Sequence, residues 1–188
     1  MSTPRTPEPG MLVVSVLAAS WQGFQEMVVE PLVARFGPPD LCSVTMDFTE
    51  TTYYDGELGA PLFRRMLCFA ALQPLDCLPA VKLFTNSLEQ AAARPNSSRA
   101  FNLDPGLLTQ ERLVLATGKN FSHRIYLGSG IWGDLTLIFQ RGGWKTLPWT
   151  FSDYAGAPMQ DLLSAMRGRL REHLARLRAS GHATHPNT

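Results

Sequence analysis

The sequence predicts an α+β protein: a ferredoxin-like β-α-β-β-α-β core extended by two β-hairpins and a C-terminal amphipathic helix. Three observations carry this. Met11–Ala18 is an apolar run interrupted only by Ser15, the pattern of a strand covered on both faces. Residues 41–48 alternate strictly between apolar and polar. The stretches Trp21–Phe36 and Met159–Leu177 repeat apolar residues every three or four positions, the spacing of an amphipathic helix.

The elements follow in order. Residues 1–10, with Pro4, Pro7 and Pro9, read as a disordered lead-in, residues 11–180 as one domain, and residues 181–188 as a disordered tail holding His182 and His185. After the first strand, Ser20 is placed to cap a helix whose buried stripe is Trp21, Phe24, Val28, Leu32 and Phe36. Pro31 removes a backbone donor and predicts a kink, and Gly37-Pro38 ends the helix. In Leu41–Phe48, Cys42, Val44, Met46 and Phe48 share one side. A polar, aromatic loop over 49–59 leads to a third strand, Leu62–Phe69. Pro74–Arg94 reads as a helix with Leu78, Val81, Phe84 and Leu88 inward and Lys82, Asn86 and Glu89 on its other face. Arg99–Leu103 is a short strand, Asp104-Pro105-Gly106 a turn, and Thr109–Gly118 a short helix. Arg124–Leu127 and Ile131–Phe139 form a hairpin, and Gly142-Gly143 turns a second one into Trp144–Leu147. The last helix begins near Pro158, with Met159, Leu162, Met166, Leu170, Leu174 and Leu177 buried.

Charge and cysteine usage exclude several classes. Lys and Arg number 17 against 16 Asp and Glu, so no global field favours nucleic acid or an anionic membrane. Arg167, Arg169, Arg171, Arg176 and Arg178 suit the C-terminal half of a wet helix, with a basic strip for RNA as the sharper alternative. Cys42, Cys68 and Cys77 are widely spaced and form no CxxC pair, so a zinc ribbon or redox dithiol is unsupported and each reads as a small apolar residue. The longest apolar run is too short to span a bilayer, which takes about 20 residues. A cytoplasmic location is expected, no cofactor or metal is identified, and oligomeric state is left open.

Familiar motifs fail on context. Gly128-Ser129-Gly130-Ile131-Trp132-Gly133 matches GxGxxG but runs on into a strand, so it is a hairpin turn and not a dinucleotide loop. No P-loop, GxSxG elbow, HExxH or kinase signature occurs. Two polar clusters stand out. Lys119, Asn120, Ser122, His123 and Arg124 crowd one junction, where the cations and hydroxyl suit a phosphate or carboxylate and His123 a proton transfer. Asp47, Tyr53 and Tyr54 sit in or beside an acidic loop whose carboxylates suit Mg²⁺ binding or general acid–base work. Asp104 is a third acid, and Lys82 with Asn86 offers further ligand contacts.

These segments carry a resemblance. Phe36-Gly37-Pro38, Asp47-Phe48-Thr49 with Tyr53-Tyr54, Lys82-Leu83-Phe84-Thr85-Asn86, Asn102-Leu103-Asp104-Pro105-Gly106, residues 113–117, residues 119–127 and Leu147-Pro148-Trp149-Thr150 resemble those of a bacterial family known as a domain of unknown function, over about Met11 to Tyr154. Members of that family sometimes carry a "GTP-binding" label, but neither a P-loop nor an NKxD base-reading element is present here. The resemblance brings no catalytic residues with it. The expectation is therefore a protein that binds or acts on a small phosphorylated or carboxylated ligand such as a nucleotide. The alternative is a non-enzymatic RNA- or protein-binding module with Tyr53, Tyr54, Trp132 and Trp144 as its aromatics.

Overall fold

A computed structural model describes residues 2–96 and 98–182, with the side chains of 181 and 182 left aside. The chain is a mixed α/β structure built on one 9-stranded sheet whose neighbours all run antiparallel. Its strands are β1 (Met11–Ala18), β2 (Pro39–Cys42), β3 (Met46–Phe48), β4 (Leu62–Phe69), β5 (Asn102–Leu108), β6 (Arg112–Thr117), β7 (Arg124–Gly128), β8 (Ile131–Gln140) and β9 (Gly143–Thr146). The order is β2-β4-β1-β5-β6-β8-β7, with β3 beside β4 and β9 beside β8. The helices are α1 (Glu30–Phe36, preceded by a π-turn over Gln25–Val29), α2 (Asp55–Leu58), α3 (Leu78–Ala91), α4 (Ser152–Ala155) and α5 (Ala157–His182).

β1, apolar but for Ser15, is buried at every position because both faces of the sheet are covered. Leu12, Val14 and Val16 pack with Val28 and Leu32 of the first helical segment and Val81 and Leu88 of α3. Met11 and Val13 face the other way, against Leu163, Met166 and Leu170 of α5. The period-two and period-3.6 patterns thus meet in a helix–sheet–helix sandwich. Pro31 lacks an N–H, and just before it the segment is a π-turn, where Glu30 donates to the Gln25 carbonyl.

Several expectations are corrected. Leu41–Phe48 is two strands: Ser43 still bonds Met66, its N–H donating to the carbonyl and its Oγ accepting from the N–H, both at 2.9 Å, and the pairing with β4 then breaks until Met46, with Cys42 and Val44 exposed. Asp104-Pro105-Gly106 lies inside β5 and is no turn. Thr109–Gly118 is not a helix. Thr109 closes a tight turn, its N–H donating to the Arg112 carbonyl and its Oγ1 accepting from the Glu111 and Arg112 N–H groups. Leu113 and Leu115 then alternate inward as strand β6. In α3 the polar face is not solvated: Lys82 and Glu89 are both buried. In α5, Leu163 joins the buried stripe and Leu177 stands exposed. Residues 183–188 of the expected tail lie outside the described residues, as does the His182 side chain. No helix among the described residues is long and apolar enough to cross a membrane.

Candidate functional site

The sheet forks between β5 and β6. On one side β5 pairs with β1 over seven residues, from Met11↔Leu108 to Leu17↔Asn102. On the other it pairs with β6 only at Gly106↔Leu115, Leu107↔Val114 and Leu108↔Leu113. Gly106 marks the crotch: a Cβ there would stand 2.7 Å from Leu115 Cδ2 and 2.8 Å from the Val114 carbonyl oxygen, so the strands meet only because it has none. Beyond it the backbone facing the gap needs other partners. The Leu103 N–H donates to Glu89 Oε1 at 2.6 Å and its carbonyl accepts from Lys82 Nζ at 2.7 Å, both from α3. Pro105, two residues along and on the same side, has no N–H to satisfy.

A cleft of about 480 Å³ elsewhere is shallow and lies by the end of α5; the larger one, about 740 Å³, opens over this fork. Its first wall is a polar network. Lys82 Nζ lies 3.2 Å from Asp104 Oδ1 and 4.0 Å from Glu89 Oε1. Asn102 Nδ2 donates to Asp104 Oδ2 at 2.6 Å. Arg99 donates to Glu89 at 2.9 Å, to Asn102 Oδ1 at 2.7 Å and, through two nitrogens, to both oxygens of Glu57. Burial pushes the Glu89 carboxyl above its usual range against the pull of Lys82, the Leu103 N–H and Arg99. Arg99 holds Glu57 below that range, chiefly by its hydrogen bonds.

The floor carries Arg64, only 5% exposed. Its Nη2 meets Asp153 Oδ2 at 2.5 Å, and its guanidinium lies against the rings of Phe48 (4.7 Å) and Tyr154 (5.1 Å). Its Nε and Nη1 are buried and bond nothing among the described residues. A third wall centres on buried Asp134, which accepts from Arg124 Nε at 2.9 Å and lies 3.2 Å from His123 Nε2. Arg124 Nη1 in turn donates to the Lys119 carbonyl at 2.9 Å, tying down the loop at the lip. There Lys119 Nζ reaches the Tyr53 hydroxyl at 3.0 Å, and that contact lowers the phenol's pKa. Tyr54, edge-on to Tyr53, has its phenol pushed up to about 12, first by burial and then by the charge of Asp104.

Comparison with known proteins adds one match: a family model described as "Domain of unknown function (DUF4416)" covers residues 8–170. The chain belongs to that family. No curated protein and no solved structure matches the chain. Every residue lining the fork cleft, from Leu17 to Tyr154, falls inside the DUF4416 match.

Of the residues singled out in the sequence, the cleft gathers Lys82, Asn86, Tyr53, Tyr54, Asp104, Lys119 and Arg124. Four stand apart. His123 is not on the cleft surface; its ring stacks on Trp149 at 4.9 Å and its Nε2 faces Asp134 from behind. Asn120 and Ser122 are exposed on the loop outside the cleft, and Asp47 is exposed on β3 opposite Phe63. Trp144 is buried in the core and donates to Ser164 Oγ, so it is no stacking platform. Among the described residues no group of three His, Cys, Asp or Glu is placed to hold a metal ion.

Sequence reasoning passed over Arg64, Glu89, Arg99, Asn102, Asp134 and Asp153 as site residues. Two of them left a signal. Arg64 occupies an inward position of β4 between Leu62 and Met66, and Asp134 interrupts the apolar run of β8. A charge on the buried side of a strand is costly unless something answers it.

Proposed function

We propose that the fork cleft binds a small organic anion, phosphorylated or carboxylated, a nucleotide being one example. One observation carries this reading: a buried guanidinium on the cleft floor whose Nε and Nη1 have no acceptor among the described residues. A buried donor left unpaired costs about 1–3 kcal/mol, a cost that an anionic acceptor entering the floor removes. Arg64 is also pre-organised, gripped by Asp153 and two rings, so little is lost in ordering it. The cleft volume of about 740 Å³ suits a ligand larger than a bare ion. If the bound molecule is transformed, Asp104 is one of the acids on the cleft wall, whereas His123 acts through Asp134 and positions that part of the lining.

The test is thermal unfolding against nucleotides, sugar phosphates and carboxylates, with Lys119→Ala and His123→Ala beside the wild type. A ligand at about 100 times its dissociation constant adds roughly 2.7 kcal/mol to stability. The reading expects one class to raise the midpoint, Lys119→Ala to lose most of that rise and His123→Ala to keep most of it. A flat panel contradicts it.

The first half of the chain we read as ferredoxin-like: β1, α1, β2, β4, α3 and β5 follow the β-α-β-β-α-β order, and β2-β4-β1-β5 as their arrangement in the sheet supports this. A binding-module reading draws support from one feature, the exposed Phe121, Ile125, Tyr126 and Leu127 on and before the edge strand β7. Its RNA form is weakened because four of the arginines of α5 have partners: Arg167 bonds the Gln110 carbonyl, Arg169 faces Asp40, Arg176 faces Glu172 and Arg178 faces Glu8. Retention of the protein on immobilised RNA at low salt, lost at high salt, is the result that revives it.

A further inference from the structure

We infer, resting on the small-anion reading above, that the cleft prefers singly charged carboxylates to doubly charged phosphate esters, and that Asp153 sets this preference. Each buried or half-buried cation of the cleft already faces a carboxylate: Arg64 faces Asp153, and the Lys82–Asp104, Arg99–Glu89 and Arg124–Asp134 pairs complete the set. At the lip, exposed Lys119 is matched by exposed Glu50. The cleft therefore holds donors without holding surplus positive charge.

Any negative charge brought into such a site lacks a counter-ion, so a dianion bears twice over a deficit that is severe out of bulk water, while a monoanion bears it once. The donor count agrees. With Nη2 committed to Asp153, Arg64 keeps Nε and Nη1, which lie on different sides of the guanidinium and offer separate single hydrogen bonds, fewer than the three oxygens of a phosphate ester call for. The remaining lining includes Leu17, Phe48, Leu115 and Phe151, an apolar bed for the body of the acid. Asp153 is the specificity-determining residue because its carboxylate is the one that cancels the charge of the binding guanidinium. It also stands where a second anion's charge is felt most.

The experiment uses matched probes that differ only in the anion: phenylacetate against phenyl phosphate, and acetate against inorganic phosphate, titrated into the wild type and Asp153→Asn. At neutral pH phenylacetate is expected to bind at least about tenfold tighter than phenyl phosphate. Lowering the pH through about 6, where a phosphate ester takes its second proton, should tighten phenyl phosphate and leave phenylacetate unchanged. That arm needs no variant. Asp153→Asn should narrow or reverse the ratio by favouring phosphate. Phenyl phosphate binding as tightly as phenylacetate at neutral pH overturns the charge rule and leaves the small-anion reading standing. A folded Asp153→Asn with the wild-type ratio removes Asp153 from the role. If no probe of either class binds, the small-anion reading fails and this inference falls with it.

Discussion

The two sides of β5 make opposite use of the same backbone. Toward β1 the strand is zipped along its whole length, and the packing around it is apolar on both faces. Toward β6 it is zipped for three residues and then released, and Lys82 and Glu89 of α3 take the place of a neighbouring strand at Leu103. A ladder hydrogen bond is anonymous, since any residue supplies it. A side chain that replaces one brings charge with it. The closed side accordingly stabilises the fold, and the open side concentrates ionisable groups where a cleft can use them.

This contrast can be broken at several points. The largest effect is expected from Lys82→Met, which leaves the Leu103 carbonyl and Asp104 without their cation and Glu89 with Arg99 alone. Breaking a buried pair in this way costs about 3–5 kcal/mol, readable as a lower midpoint in chemical denaturation. Next comes Gly106→Ala, whose added Cβ meets the Val114 carbonyl and Leu115 at the crotch. Overpacking of this kind costs about 1–3 kcal/mol, and faster amide exchange should appear along the β5–β6 ladder before the β1–β5 ladder.

A subtler probe is pH, because Arg99 bridges two acids shifted in opposite directions. Glu57 has a folded pKa below its unfolded value. Its contribution is present above the usual glutamate range and is lost as pH falls through the lowered folded pKa. Glu89 has a raised folded pKa, so its contribution is greatest at acid pH and declines as pH rises from the usual glutamate range through the raised value. Stability measured against pH should therefore lose part of its acid-side fall in Glu57→Gln and lose an opposing slope in Glu89→Gln. Identical profiles for both variants contradict the assignment. The smallest effect on folding belongs to Lys119→Ala at the exposed lip, within about 0.5 kcal/mol, even though the same change is expected to weaken ligand binding.

What the sequence made legible follows the same division. Elements whose signal is local and repeated were readable: the apolar β1, the strand Leu62–Phe69, the hairpin from β7 to β8, and the helix beginning near Pro158. Asp104-Pro105-Gly106 misled because its composition is that of a turn. Only a distant element explains it as strand, since the missing Pro105 N–H faces the fork and the absent Gly106 Cβ admits Leu115. Thr109–Gly118 misled because a capping threonine also closes a tight turn. For the site, clusters adjacent in sequence brought in Lys119, Arg124, Tyr53 and Tyr54. They also brought in Asn120, Ser122 and Asp47, which share the sequence neighbourhood but not the cleft. Arg64 and Asp153 find each other across 89 positions (153 − 64), and no local pattern announces such a pair.

The most direct measurement is a crystal structure of the protein soaked with the anion that stabilises it most. The account predicts density for the ligand in the fork cleft, with an anionic oxygen within hydrogen-bond distance of Arg64 Nε or Nη1. Density for the anion at another surface, with both Arg64 nitrogens still unpaired, would contradict it.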